Sequence, residues 1–250
     1  MPADPTIDLR DFDLDALDPA ADFIRGAGRD ATSGEEAAQR VVTYLYEHLV
    51  DGATGERACA LVRLYKTHPY GELEPDLQEF ARDLLPDGDE PDGAMRCLTL
   101  LGTAGDLPEW NSRHASVGHR AIPLVSGQMV ERLPMVNQLI RQLGLDVETV
   151  LAPPEEELVD LAQRTYDVFH VGEARGSPYL PAQDFVERHG IRSAIGFGGM
   201  LFSGDLYAIV LFSKVPVEAR VARGIRILAL PLRVALLRFV RHDVFAPAPA

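Results

Sequence analysis

Between Trp110 and Arg120 the chain gathers an unusual density of groups able to hold a small molecule: Trp110, Asn111, Arg113, His114, Ser116, His119 and Arg120. Aromatic stacking, imidazole and carboxamide hydrogen bonding and fixed positive charge fall in one short stretch, the combination that orients a ligand at the mouth of a pocket. The same residues suit an architectural task, in which Trp110 anchors the loop against a sheet and Arg113 tethers it to backbone carbonyls. His114 and His119 do not share a helix face and match no common zinc spacing. A second candidate is His170, which follows the apolar run Tyr166 to Phe169 and precedes Tyr179 and Asp184. It is placed to contact a ligand or to coordinate haem iron. A lone histidine at a strand end is more often structural.

Cys59 and Cys97 form no C-x-x-C pair and sit in apolar, strand-like stretches, which suits small core residues. A redox role would need a lowered thiol pKa and access to solvent. Gly196, Gly198 and Gly199 lack the lysine and threonine of a phosphate loop and are flanked by strand on both sides, so close backbone packing is the better account. No G-x-S-x-G elbow, H-E-x-x-H or kinase catalytic loop is present. Carboxylates are too numerous for any pair to be singled out as an acid/base dyad.

These groups stand in a chain of 250 residues with 46% apolar residues and a formal charge of −14. That length supports one large domain with a sizeable core. The negative charge disfavours coating nucleic acid or an anionic membrane, both of which require a basic footprint. The most apolar stretch, Ile225 to Val240, is broken by Arg226, Arg233 and Arg238 and contains Pro231, so no membrane insertion is expected. With two cysteines and no secretory start, a reducing cytoplasm is the expected setting.

The elements that must position the candidates follow from local signals. Ser33 followed by Glu36 reads as a capping box, and Ala37, Val41, Tyr44, Leu45 and His48 recur at helical spacing, predicting a helix over about 34–49. Cys59 to Tyr65 reads as a strand, and Leu77, Phe80, Ala81 and Leu84 as a helix after Pro75. Asp87 to Gly93 is a turn-rich loop. Met95 to Leu101 reads as a strand stopped by Gly102 and Gly105, and Ala121 to Val125 as another. Pro134 opens a helix that Gly144 ends; Pro154 and Pro181 open two shorter helical turns. Ile191 to Ser213 is an apolar hairpin around Ser203, Gly204 and Asp205, central and covered on both faces. Pro216 opens a long arginine-rich helix striped with Val217, Val221, Ile225, Leu228, Leu232 and Leu236.

Three stretches carry a family resemblance. "GIRSAIGFGGMLFSGDLYAIVLFSKVPV", from Gly190 to Val217, resembles the last two central strands of GAF-like domains found upstream of PAS and histidine-kinase modules in bacterial signalling proteins. "LGTAGDLPEWNSRHASVGHRAIPL" from Leu101 to Leu124 and "RTYDVFHVGEARGSPYLPAQDFV" from Arg164 to Val186 resemble the same subgroup. The resemblance implies an α/β (α+β) fold, GAF/PAS-like, with a central antiparallel sheet flanked by helices and a helical insertion.

The aspartates from Asp8 to Asp22, interleaved with Leu9, Phe12, Leu14 and Leu17, read as an acidic arm over 1–32, ahead of the GAF-like domain over 33–242 and a flexible tail over 243–250. The implied function is sensory or regulatory: binding a small ligand or a partner and signalling in trans to an output protein such as a histidine kinase, since the relatives' coiled coil and output domain have no counterpart after "VFAPAPA". The ligand-contacting candidates are then Trp110, Asn111, Arg113, His114, His119, His170, Tyr179 and Asp184. A homodimer is expected through the apolar stripe of the last helix. The alternatives are a thiol redox enzyme on the GAF scaffold, similar to methionine sulfoxide reductases, and a ligand-free interaction module with a filled pocket.

Overall fold

The computed structural model describes residues 5–86 and 88–246. Asp87 and the outermost residues of the expected arm and tail, 1–4 and 247–250, lie outside the described residues.

In chain order the strands are β1 (Ile7–Asp8), β2 (Leu49–Val50), β3 (Cys59–Pro69), β4 (Arg96–Gly105), β5 (Ala121–Leu124), β6 (Phe169–Val171), β7 (Ser193–Met200) and β8 (Leu206–Ser213). The helices are α1 (Asp18–Gly26), α2 (Gly34–His48), α3 (Pro75–Arg82), α4 (Gly127–Glu131), α5 (Pro134–Gln142), α6 (Val147–Leu151), α7 (Leu158–Gln163), α8 (Gln183–Arg188), α9 (Ala219–Ile225) and α10 (Ala229–Leu236). β3 to β8 form one antiparallel six-stranded sheet in the order β5-β4-β3-β8-β7-β6. β1 and β2 pair in parallel apart from it.

β3 and β8 lie at the centre, and their side chains alternate between two apolar layers. Val62, Leu64, Ile209 and Leu211 pack with α1, α2 and the terminal helices; Tyr65, Ala208 and Val210 pack with α5, α7 and α8 on the other face. The hairpin is therefore central and double-covered. Gly204, at φ +81, supplies the left-handed residue of its turn.

α2 begins as its cap dictates: the Ser33 hydroxyl accepts from the Glu36 N–H at 3.0 Å. The reciprocal arm of the capping box is displaced by one residue, because the Glu36 carboxylate takes the Thr32 N–H and hydroxyl, each at 2.8 Å. β4 runs through Gly102, which was expected to stop it. A Cβ at Gly102 would stand 2.7 Å from the Ala38 carbonyl carbon, so this glycine lets α2 lie directly on the strand.

Two further expectations are corrected. The helix after Pro216 is not continuous: α9 and α10 are joined by a 3-10 turn, Arg226–Leu228, because Pro231 has no N–H to bond back across that turn. Its stripe of Val217, Val221, Ile225, Leu228, Leu232 and Leu236 is buried in the chain's own core and cannot meet a second copy. Before residue 33, Ile7, Leu9, Leu17 and Ile24 are fully buried in that same core, and α1 lies along α10. At the other end Gly34 and Glu35 donate their N–H groups to the carbonyls of Asp243 and Val244, both at 2.8 Å.

Candidate functional site

The sheet face carrying Tyr65 encloses a cavity of about 330 Å³, within the size range of small-molecule sites. Its floor is built by register. Leu61 faces Phe212, Arg63 faces Val210 and Tyr65 faces Ala208 across β3 and β8, and all six line the cavity. Leu98 and Ile122, paired across β4 and β5, extend the floor. α5 and α8 form the roof with Met135, Val136, Leu139, Phe185 and Val186. α5 settles close to the sheet because Gly196 leaves room for Leu139, whose Cδ1 would lie 3.3 Å from a Cβ there.

The mouth is aromatic. Trp110 meets the rings of Phe185 and His189 edge-on, at 5.8 and 4.6 Å, and Phe185 in turn meets Phe212 at 5.2 Å. Outside it a groove runs from Leu107 past Trp110 to Asp184 and His189.

The polar groups of the cavity cluster around Arg63, which is 8% exposed. Arg63 Nη2 donates to the Ser116 hydroxyl at 3.0 Å, and Nη1 to the Tyr65 hydroxyl at 3.2 Å and the Gly118 carbonyl at 3.4 Å. Its Nε–H has no acceptor, and among the described residues it forms no ion pair. His119 lines the cavity beside it with φ +58, a left-handed conformation that histidine tolerates better than most residues. Desolvation of its ring, and secondarily the Arg63 charge, hold its pKa below the usual imidazole range.

Of the eight residues singled out in the sequence, Trp110 and His119 line the cavity and Asp184 lines the outer groove. The other five are placed elsewhere. Asn111 closes its loop, accepting from the Gly105 N–H at 3.0 Å and donating to the Gly105 and Leu107 carbonyls. Arg113 is buried between Glu35 and Glu74, with Nε 2.7 Å from the Glu35 carboxylate, so it tethers the loop through carboxylates and not through carbonyls. His114 Nε2 lies 3.2 Å from the same Glu35. His170 Nε2 lies 2.8 Å from the Val217 carbonyl, away from the cavity. Tyr179 lies on the surface and lines neither cavity nor groove.

Sequence reading passed over Arg63 and Tyr65. Their signal was present: a charge in the apolar run "ALVRLYK", in step with Leu61 and Tyr65, places a guanidinium on a buried sheet face.

Both thiols are fully buried, and burial pushes each pKa up to about 12. Cys59 sits at the start of β3 and Cys97 opposite His68 near its end, about 30 Å along the strand at ~3.3 Å per residue. They can neither pair with each other nor form thiolates readily. No group of three or more His, Cys, Asp or Glu side chains placed to hold a metal occurs among the described residues, and no helix of those residues is long and apolar enough to cross a membrane.

No protein-family model matches the sequence, and a search of curated proteins returns no match. Among solved structures, a free methionine-R-sulfoxide reductase from Neisseria meningitidis, in complex with its substrate, aligns with a TM-score of 0.49 at 14% identity, over 94% of this chain and 98% of the other. The phycoerythrobilin-bound GAF domain of a cyanobacterial phytochrome aligns with 0.41 at 11% identity, over 91% and 96%. The photosensory core of the Stigmatella aurantiaca phytochrome aligns with 0.35 at 12% identity, over 88% of this chain and 35% of that one. The central antiparallel sheet covered by helices on both faces is the architecture expected from the sequence.

Proposed function

We propose that this chain is a GAF-like sensory or regulatory domain, that its sheet-face cavity takes a small, largely apolar ligand, and that occupancy is passed to an output protein in trans, such as a histidine kinase. The cavity carries the reading: an enclosed, mostly apolar space with Arg63, Tyr65 and His119 grouped within it is costly to maintain in a core that could have been filled. A ligand-free interaction module has no need of it. The buried, high-pKa thiols likewise give a redox enzyme no nucleophile.

β8 supplies a route for the signal. Its Ala208, Val210 and Phe212 line the cavity, while Tyr207, Ile209 and Leu211 pack into the layer containing α9 and α10. A ligand that shifts β8 therefore acts on both layers at once. Native mass spectrometry of freshly purified protein, followed by thermal melts with small apolar ligands, tests this function. A co-purified mass, or a Tm that rises with ligand concentration, is expected; a bare protein whose Tm no such ligand moves would overturn it.

A further inference from the structure

Among the described residues Arg63 is the only formally charged side chain lining the cavity at neutral pH, and no lining residue is acidic. A guanidinium held this deeply without a counter-charge is unusual, since burying an ion costs several kcal/mol unless it is paired and fully hydrogen-bonded. The pairing here is incomplete. Three neutral oxygens satisfy the Nη groups at 3.0 to 3.4 Å, and the buried Nε–H has no acceptor. Tyr65 accepts from Arg63, and its own hydroxyl hydrogen has no acceptor among the described residues. Two donors of one cluster thus lack an acceptor, and both belong to residues that line an apolar cavity.

We infer that the ligand is an amphipathic carboxylate, an apolar body with a single carboxylate head that pairs with Arg63 and accepts from the Tyr65 hydroxyl. This rests on the reading of the cavity as a ligand site. One guanidinium balances one negative charge, and its edge-on donors match the two oxygens of a carboxylate. A dianionic phosphate would bring a second charge for which the lining has no second fixed cation. A neutral ligand would leave the guanidinium as unpaired as it is without one. The rest of the lining, from Leu61 and Leu98 to Val136 and Phe212, presents carbon to the ligand's body.

The test titrates the full chain with decanoate, decanamide and decyltrimethylammonium, followed by calorimetry and by the fluorescence of Trp110, the one tryptophan in the chain, which lines the cavity. Decanoate is expected to bind at least tenfold more tightly than decanamide, and decyltrimethylammonium more weakly than either. Arg63→Met should abolish the decanoate preference while leaving decanamide affinity within about twofold, and Arg63→Lys should retain part of the preference. Equal affinity for decanoate and decanamide in the unaltered protein would overturn the carboxylate assignment and leave the apolar site standing. Failure of all three to bind would overturn both. The comparison of the three probes on the unaltered chain decides the matter even if Arg63→Met does not fold.

Discussion

Tyr207 and Ala208 are neighbours on β8 that serve opposite faces of the sheet: the Tyr207 hydroxyl donates to the Ala229 carbonyl at 3.0 Å at the start of α10, and Ala208 lines the cavity. A cavity wall and a terminal-helix anchor are thus one peptide unit apart. Tyr207 is almost fully buried, and burial pushes its phenol pKa far up, so the hydroxyl remains a donor at any ordinary pH.

Tyr207→Phe keeps the ring and removes that one bond. A lost buried hydrogen bond costs about 1 kcal/mol, or about 2–4 °C of Tm for a chain of this size. Hydrogen exchange within α10 should accelerate, and its response to ligand should shrink while ligand affinity changes little. An unchanged ligand response in α10 would place the route of coupling elsewhere.

Asp205 is a second buried charge centre, at the turn between β7 and β8. Its carboxylate accepts from Lys66 at 2.8 Å, from Ser203 at 2.6 Å and from Arg96. Asp205→Ala strands two cations, one of them the nearly inaccessible Lys66, whose pKa burial already lowers. Removing one partner from a buried pair costs about 3–5 kcal/mol. Urea denaturation should show at least that loss for Asp205→Ala. A cost below about 1 kcal/mol would mean that water reaches the turn freely.

Much of this frame is legible in the sequence because backbone chemistry is local. Ser33 caps α2, Gly144 ends α5 with φ +81, and Gly204 turns the hairpin, each through a property of the residue itself. What is not legible depends on a distant partner. Gly102 looks like a strand stop until α2 is known to cross it. The acidic residues ahead of α2 conceal Leu9 and Leu17, which find a core only because α10 lies alongside. Arg63 reads as one charge among many until its strand proves buried on both faces. The loop from Trp110 to Arg120 was visible as a cluster, yet its side chains divide between cavity and scaffold according to the position of Glu35, far off in the chain.

His68 gives the stability a definite pH dependence. It is fully buried, and its neighbours include Lys66, Arg96 and the Phe245 ring at 5.3 Å. Burial first, and the Lys66 charge second, hold its pKa well below the usual imidazole value. Protonation therefore favours the unfolded chain. Stability attributable to His68 is full above about pH 6.5 and falls as the pH drops below it, by up to about 1.4 kcal/mol per unit, until the folded pKa is reached. Carboxylates add their own acid sensitivity, so the readout is a difference: between pH 6 and 5 the parent chain should lose about 1 kcal/mol more than His68→Leu in urea titrations. Parallel pH profiles would mean that His68 is protonated in the fold.

The thiols should be inert in the folded chain. With both side chains fully buried and both pKa values pushed up to about 12, the thiolate fraction at pH 8 is on the order of 10⁻⁴. A thiol-reactive disulfide reagent should titrate both cysteines promptly in urea and neither in buffer over the same period. Rapid native reaction of one cysteine would revive the redox reading and identify its residue.

The buried stripe of α9 and α10 leaves the expected dimer without the surface first assigned to it, but the outer side of these helices offers another. Ile227, Leu230, Val234 and Leu237 are all more than a third exposed, and their spacings of three, four and three residues align them along one edge of the helical segment. Arg233 extends over the Phe202 ring nearby, and Arg238 donates to the Gly28 and Arg29 carbonyls. An apolar stripe of this kind can be closed by its own copy about a two-fold axis. Leu230, 56% exposed, makes the sharpest probe because its replacement disturbs little of the core. Leu230→Glu should convert a dimer to a monomer in sedimentation equilibrium with Tm changed only by the loss of association. Were the unaltered chain monomeric at every concentration, dimerisation through these helices would be excluded.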